Sequence, residues 1–303
     1  MIKLTFLGTS SQIPTAERNH TAIYLSYQSG KSNENLLVDC GENTQRQMRI
    51  MKISPNGLDE VFLTHWHGDH TLGLPGLIQT LNAHDYKKTL EIYGPKGIKK
   101  YFELMLEAFL LKGKINYRIF EIEKGGVIYE NNDFKVEAEF LEHTAPCLGY
   151  SFIEKDRRRI DMKYLKKAGV KEGPILKNLK EGKNIKVNGK VINVKKATYV
   201  VKGKKIAIVL DTRMNKIIEK LSKDSDLLVI ESTFGEDLKD KAYEYKHLTS
   251  VEAAKIAKKC KVKELILTHI SQRYDDNLEH VLKGAKKIFK NSKIAKDFMV
   301  LEL

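Results

Sequence analysis

His65, His67, Asp69 and His70 fall within six residues, in the run Thr64-His65-Trp66-His67-Gly68-Asp69-His70. Imidazole nitrogens and carboxylate oxygens are the donors that hold zinc and similar borderline cations. The run follows Val61-Phe62-Leu63, a short apolar stretch that predicts a buried strand. It leads through Gly68 into Leu72-Gly73-Leu74, which predicts a turn entering a helix. A strand end opening into a tight loop is where α/β folds place chemistry. His65 and His67 are two apart, so an extended segment points them the same way. Asp69 and His70 come after Gly68, where the chain can turn toward a second point. One loop could therefore serve two adjacent metal ions. The plain alternative is a polar loop with surface histidines, and the density of ligand-type residues argues against it.

The remaining donors must come from other strand ends. His143 follows the run 138–142, Asp211 follows the apolar run 206–210, and His269 follows 265–268. Singly, each has an ordinary reading: Asp211 as a cap for a helix near 213, the histidines as hydrogen-bonded, half-buried side chains. Together with the first loop they complete two ligand sets. His65, His67 and His143 could hold one ion, and Asp69, His70 and His269 the other. Asp211 can bridge them, because a carboxylate offers two oxygens.

The elements that must position these residues alternate along the chain. Strands are predicted at 2–7, 20–27, 36–39, 60–64, 89–93, 117–123, 134–142, 148–153, 197–201, 205–210, 226–230, 263–268 and 297–302. Helices are predicted at 43–52, 71–82, 96–111, 213–222, 250–260 and 277–289, the fifth opened by a capping box of Thr249 and Glu252. A strand-rich first half and an alternating second half predict two packed sheets with helices on their outer faces.

Composition narrows the setting. The chain of 303 residues can bury a large core as one α/β domain or two smaller ones. No apolar run reaches membrane-span length, and the N-terminus reads as a strand rather than a signal peptide. Cys40, Cys147 and Cys260 are scattered and odd in number, which argues against a disulfide framework and favours a reducing cytoplasm. The net charge of +14 is unevenly spread: residues 154–196 hold 15 Lys and Arg against five acids, ten charges of that total. With Gly173-Pro174 and mostly isolated apolar residues, this segment reads as a protruding basic arm outside the core, or else as a solvated loop. Such a patch favours a polyanion such as nucleic acid.

The order His65-x-His67-x-Asp69-His70, His143, Asp211, His269 resembles the metallo-β-lactamase superfamily, and within it the ribonuclease Z family of tRNA 3′-processing endonucleases. The likeness spans the chain. It includes Phe6-Leu7-Gly8-Thr9-Ser10, Asp39-Cys40-Gly41-Glu42, Gly94-Pro95, Glu231-Ser232-Thr233-Phe234 and His247-Leu248-Thr249-Ser250. The metal motif alone marks the superfamily; the arm with Gly173-Pro174 is the family-specific part. The resemblance implies a four-layer αββα sandwich over residues 1–303, two zinc ions per subunit, a homodimer and a precursor-tRNA substrate. It implies that 154–196 is a flexible arm gripping tRNA, with Arg157, Arg158, Arg159, Gly173 and Pro174 among its contacts. It also implies that Arg18 and Asn19 contact substrate, although Ala16 stands where the family commonly has lysine. The handling of CCA-bearing ends therefore does not carry over.

The chemistry implied is two-metal phosphodiester hydrolysis, leaving a 3′-hydroxyl on the tRNA and a 5′-phosphate on the trailer. Asp69 would orient the attacking water as general base, His247 would protonate the leaving oxygen, and Glu231 would orient His247. Two other readings compete. A superfamily phosphodiesterase for cyclic nucleotides, or an arylsulfatase-like esterase, fits the ligands but has no use for the arm. An RNA-binding module with structural metal sites conflicts with a ligand set that lacks thiolates. His20, His84 and His280 have no partner motif and read as ordinary histidines.

Overall fold

Short runs rich in Val, Ile, Leu and aromatics become strands, and the apolar stripes between them become helices laid over the sheets. The computed structural model describes residues 1–30 and 32–303. The chain opens with β1 (Ile2–Gly8), β2 (Ala22–Ser29) and β3 (Ser32–Val38), an antiparallel meander, followed by α1 (Thr44–Ile50) and β4 (Glu60–Phe62). Next come α2 (Gly68–Thr71), α3 (Leu74–Ala83), β5 (Thr89–Pro95), α4 (Ile98–Ala108) and β6 (Asn116–Ile122). Strands β7 (Gly126–Glu130), β8 (Phe134–Leu141) and β9 (Cys147–Glu154) begin a second sheet. An inserted segment carries β10 (Arg157–Ile160), α5 (Met162–Lys167), α6 (Leu176–Lys180), β11 (Ile185–Val187), β12 (Lys190–Ile192), α7 (Val194–Ala197) and β13 (Thr198–Val201). The chain then runs through β14 (Lys205–Val209), α8 (Lys216–Ser222), β15 (Leu227–Glu231), α9 (Lys239–Glu244), α10 (Ser250–Lys259), β16 (Glu264–Thr268), α11 (Leu278–Lys286), β17 (Ser292–Ile294) and β18 (Val300–Glu302).

Two seven-stranded sheets result, ordered β18-β1-β2-β3-β4-β5-β6 and β17-β16-β15-β14-β9-β8-β7. Their inner faces share one core, in which Phe6, Leu25 and Phe62 meet Phe134, Tyr150 and Val229. A second cluster packs α1, α3 and α4 onto the first sheet through residues such as Met48, Leu77 and Phe102. A third packs α8, α10 and α11 onto the other sheet through Ile218, Ile256 and Val281. This is the αββα sandwich that the sequence predicts, because each sheet must bury both faces and each helix one stripe.

Departures are local. The helix expected over 71–82 breaks into α2 and α3 at Leu72-Gly73. Gly73 N–H donates to the Cys40 carbonyl at 2.9 Å, and a Cβ there would lie 2.0 Å from the Gly41 carbonyl oxygen. The helix expected from 213 begins at Lys216, capped by the Asn215 side chain, so Asp211 is not its cap. The Thr249–Glu252 capping box forms as predicted. The strands at 126–130 and 292–294, five and three residues long, lie outside the predicted set because such short stretches carry little alternation.

The basic segment corrects one expectation. Its apolar residues are not isolated: Leu165, Val170, Leu176, Leu179, Ile185, Ile192 and Ala197 form a separate small core. The segment is a folded module on a two-stranded stem, β10 paired antiparallel with β13. It is inserted between β9 and β14, whose ends meet where Glu154 N–H donates to the Lys204 carbonyl at 2.8 Å. Among the described residues, no helix is long and apolar enough to cross a membrane.

Candidate active site

Six strand exits converge at one end of the sandwich. The exit of β3 delivers Asp39, that of β4 the His65–His70 loop, and that of β8 His143. The parallel strands β14, β15 and β16 deliver Asp211, Glu231 and His269. Asp39, Asp211 and His269 take left-handed φ values of 57°, 50° and 55°. That conformation disfavours residues with a Cβ by roughly 1–3 kcal/mol and collects at functional sites. It turns each chain sharply at the strand end, so that the side chain faces the centre. Gly41 keeps the loops close: a Cβ there would lie 2.7 Å from the Asp69 carbonyl oxygen.

All seven metal-type residues read from the sequence come together. His65, His67, His143 and Asp211 form one set, and Asp69, His70, Asp211 and His269 another, with ligand atoms within 4.8 Å of one another in each. His67 Nδ1 lies 3.3 Å from His143 Nε2, and His70 Nε2 lies 3.3 Å from His269 Nε2. Asp211 faces both sets: Oδ2 is 3.7 Å from His65 Nε2, and Oδ1 is 3.3 Å from His269 Nε2. Among the described residues, His65 Nε2 and Asp211 Oδ1 are buried without a hydrogen-bond partner. Buried polar atoms are rarely left orphaned, so convergent orphans among facing imidazole nitrogens fit a bound cation.

The groups behind the ligands fix which nitrogen faces inward. Asp39 Oδ2 lies 2.7 Å from His70 Nδ1, and Asp39 also accepts from Thr64 N–H and Thr64 Oγ1. Thr64 Oγ1 lies 3.0 Å from His65 Nδ1, Thr233 Oγ1 lies 2.9 Å from His269 Nδ1, and the Lys246 carbonyl lies 3.3 Å from His143 Nδ1. In four histidines Nδ1 is thus engaged outward and Nε2 is left for the centre; His67 alone presents Nδ1. Burial holds His65 and His143 below the ordinary imidazole range, and burial lowers His67 too. Neutral imidazole is the form that ligates. His70 goes the other way: burial opposes its charge, but the carboxylates of Asp211, Asp69 and Asp39 outweigh burial and raise it. A cation bound here would displace that proton. Asp211 and Asp69 are both held below the carboxylate range against the penalty of burial, Asp211 chiefly by His269 and His70, Asp69 chiefly by His70.

Asp39 and the two threonines hold the imidazoles of the cluster from behind, a placement that spacing alone does not reveal, although Asp39 and Thr233 lie in segments that carry the family likeness. Asp39→Asn is expected to weaken metal binding about 10–100-fold, since it removes the carboxylate behind His70. Titration of the metal-free protein with zinc against a competing chelator measures this; unchanged affinity would show that Asp39 only supports the loop.

Beside the two sets stands His247, whose Nδ1 lies 3.0 Å from Glu231 Oε1. Glu231 is fully buried and also accepts from Thr212 N–H, Thr233 Oγ1 and Leu248 N–H, so it holds three loops as well as the imidazole. Burial opposes a charge on His247, but the Glu231 carboxylate prevails and lifts it to about 9. With Nδ1 engaged by Glu231, Nε2 is the other ring nitrogen, and His247 lines a cavity of about 640 Å³ together with His67, Asp69, His143, Asp211 and His269. His20, which the sequence leaves without a role, also lines this cavity, with Nε2 3.0 Å from the Gln12 carbonyl. His84 and His280 lie elsewhere on the surface.

Arg18 and Asn19 are committed inside the protein. Arg18 is 6% exposed; it pairs with Asp275 and donates to the carbonyls of Ile270 and Ser271, pinning the segment after His269. Asn19 N–H donates to Asp297, and its side chain donates to the Glu42 carbonyl. In this structure these groups hold neighbouring loops together, and neither residue lines the cavity of the cluster. In the arm, Arg157 pairs with Glu154 and donates to Ser29, and Arg158 donates to Thr198, so both brace the stem. Arg159, Gly173 and Pro174 are exposed. None of these arm residues lines the cavity of the cluster.

A known family and several known proteins resemble this chain. A family model described as Anti-Pycsar protein Apyc1 matches residues 2–124. A Bacillus cereus protein named Ribonuclease Z is 39% identical over 300 residues, covering 98% of this chain and 97% of its own. Among solved structures, human tRNase Z, short form, superposes with a TM-score of 0.71 at 27% identity over 99% of this chain and 98% of its own. The metallo-β-lactamase fold protein YhfI from Bacillus subtilis reaches the same TM-score at 21% identity, again over 99% and 98%.

Proposed function

Because the chain belongs to the ribonuclease Z family, we propose that it cuts precursor tRNA on the 3′ side, leaving a 3′-hydroxyl on the tRNA and a 5′-phosphate on the trailer. The observation that carries the reading is the pairing of two ligand sets through Asp211 with the His247–Glu231 pair beside them. Hydrolysis of a phosphodiester needs a positioned water, relief of phosphate charge and a proton for the departing oxygen. The all-nitrogen-and-oxygen donor set suits two zinc ions per chain. Bound there, they would supply Lewis acidity that acidifies a water and offsets phosphate charge.

The protein's own groups do the rest. His65, His67 and His143 would hold one ion, Asp69, His70 and His269 the other, and Asp211 both. Asp69, kept ionised by His70, would accept the hydrogen bond of the attacking water and fix its direction. His247 would pass the proton on Nε2 to the leaving 3′-oxygen, while Glu231 holds Nδ1 and keeps the ring charged. His247→Ala is expected to slow pre-tRNA cleavage about 10²–10³-fold while bound zinc stays unchanged. Single-turnover rates and metal analysis separate the two, and loss of metal would make His247 a ligand instead.

The metal chemistry has no preference for tRNA, and the basic module supplies one. With ten charges of the net +14 and Gly173-Pro174 and Arg159 exposed, it would grip folded RNA through phosphates away from the cut. In a homodimer the module of one subunit would serve the site of its partner. The cytoplasm, where precursor tRNA is the substrate at hand, fits three buried free cysteines. Incubation with a precursor tRNA bearing a 3′ trailer, with the cut mapped, tests the proposal. A single cut just after the discriminator base, the unpaired nucleotide that follows the acceptor stem, is expected; no cut together with brisk hydrolysis of a small phosphodiester would overturn it.

A further inference from the structure

His247 forms a wall shared by two cavities. One is the cavity of the metal-type cluster, and the other, about 380 Å³, is also bounded by Glu142, Arg213, Met214, Lys239 and Tyr243. The second cavity has the size of a small-ligand pocket and contains none of the seven cluster residues. Tyr243, on α9, is 70% exposed, yet it is not loose: the Arg213 guanidinium lies over its ring, 5.6 Å from the centroid. Arg213 is itself held by the Glu142 carboxylate, and its N–H donates to the Glu142 carbonyl at 3.1 Å. Met214 is 40% exposed beside them. An aromatic face fixed by a guanidinium, next to an exposed thioether and carboxylate acceptors, is suited to a planar heterocycle carrying amino groups.

The direction of the reaction says which heterocycle. Taking the hydrolysis proposed above as given, the water oxygen bonds to phosphorus, the P–O3′ bond breaks, and the His247 proton passes to O3′. The ribose bearing that oxygen must then lie against His247. The scissile phosphate and the trailer occupy the cluster side of this wall. We infer that the cavity bounded by Arg213, Met214 and Tyr243 receives the nucleobase of the nucleotide that keeps the new 3′-hydroxyl, stacked against Tyr243 on the ring face away from Arg213. The site thus reads the last retained nucleotide through a surface separate from both the metal cluster and the basic module.

The test is a cycle of two changes: Tyr243→Ala in the full-length metal-loaded protein, and an abasic residue at the retained 3′-nucleotide of a precursor tRNA. Each change alone is expected to lower kcat/KM about tenfold, the low end of what base–aromatic stacking contributes. Together they should lower it no further. Tyr243→Phe, which keeps the ring, should keep the native rate. Because Tyr243 is exposed, neither substitution threatens the fold. Losses that multiply, or a Tyr243→Phe as slow as the alanine variant, would overturn the stacking subsite while leaving the nuclease reading intact. Failure of the native protein to cut precursor tRNA at all would overturn both.

Discussion

Replacing Asp211 by alanine is expected to empty both ligand sets and to lower pre-tRNA cleavage by at least about a thousandfold. The reason is geometric. Among the described residues, Asp211 alone is common to the two sets, with Oδ2 3.7 Å from His65 and Oδ1 3.3 Å from His269. Its removal also takes away the negative charge around which the other histidine and aspartate side chains of both sets are arranged. The loss of several kcal/mol of Lewis-acid stabilisation translates to about three or more decades in rate. Metal analysis of the purified variant beside a cleavage assay checks it. Two ions per chain and a near-native rate would show that Asp211 is structural. The burial of Asp211, 2% exposed, makes a folding control necessary, and circular dichroism of the metal-free native and variant proteins supplies it.

Excision of the basic module is expected to separate two activities. Glu154 and Lys204 are already hydrogen-bonded across the base of the insertion, so residues 155–203 can be replaced by a two-residue Asn-Gly turn that continues β9 into β14. Arg157 leaves with the module, so Glu154→Gln should accompany the excision; otherwise a buried carboxylate loses its ion pair. The module has its own core and contributes nothing to the three clusters of the sandwich, and the main fold should persist. Hydrolysis of bis(p-nitrophenyl) phosphate should stay within about threefold of native, as for changes at distant, independent sites. Cleavage of precursor tRNA should fall on the order of a thousandfold, the scale of several lost phosphate contacts. Equal loss of both activities would sink the division of labour between module and cluster.

Much of the site was legible because ligand chemistry is local in sequence. The loop His65–His70 carries its own signal, and His143, Asp211 and His269 each sit one or two residues beyond an apolar strand. Strand periodicity located those strands to within a few residues. What stayed illegible did so for physical reasons. Arg18 reads in sequence only as a cation in a polar turn; its pairing with Asp275, 257 residues away, is a relation that local spacing does not carry. The apolar residues of 154–196 are spaced too widely to show a period, yet short helices and hairpins bring them into one cluster. Asp39 and Thr233 have no ligand spacing of their own, and their roles exist only through contacts with His70 and His269.

Donor types, strand-end placement and the concentration of positive charge are written in the sequence, because each depends on side-chain chemistry and near-neighbour spacing. The tertiary structure alone decided that Asp211 faces both ligand sets, which imidazole nitrogen looks inward, and that His247 separates two cavities. Those are relations between residues far apart in the chain, or between backbone turns with left-handed φ. They are set by how two sheets close over one core, and nothing in local spacing encodes that closure.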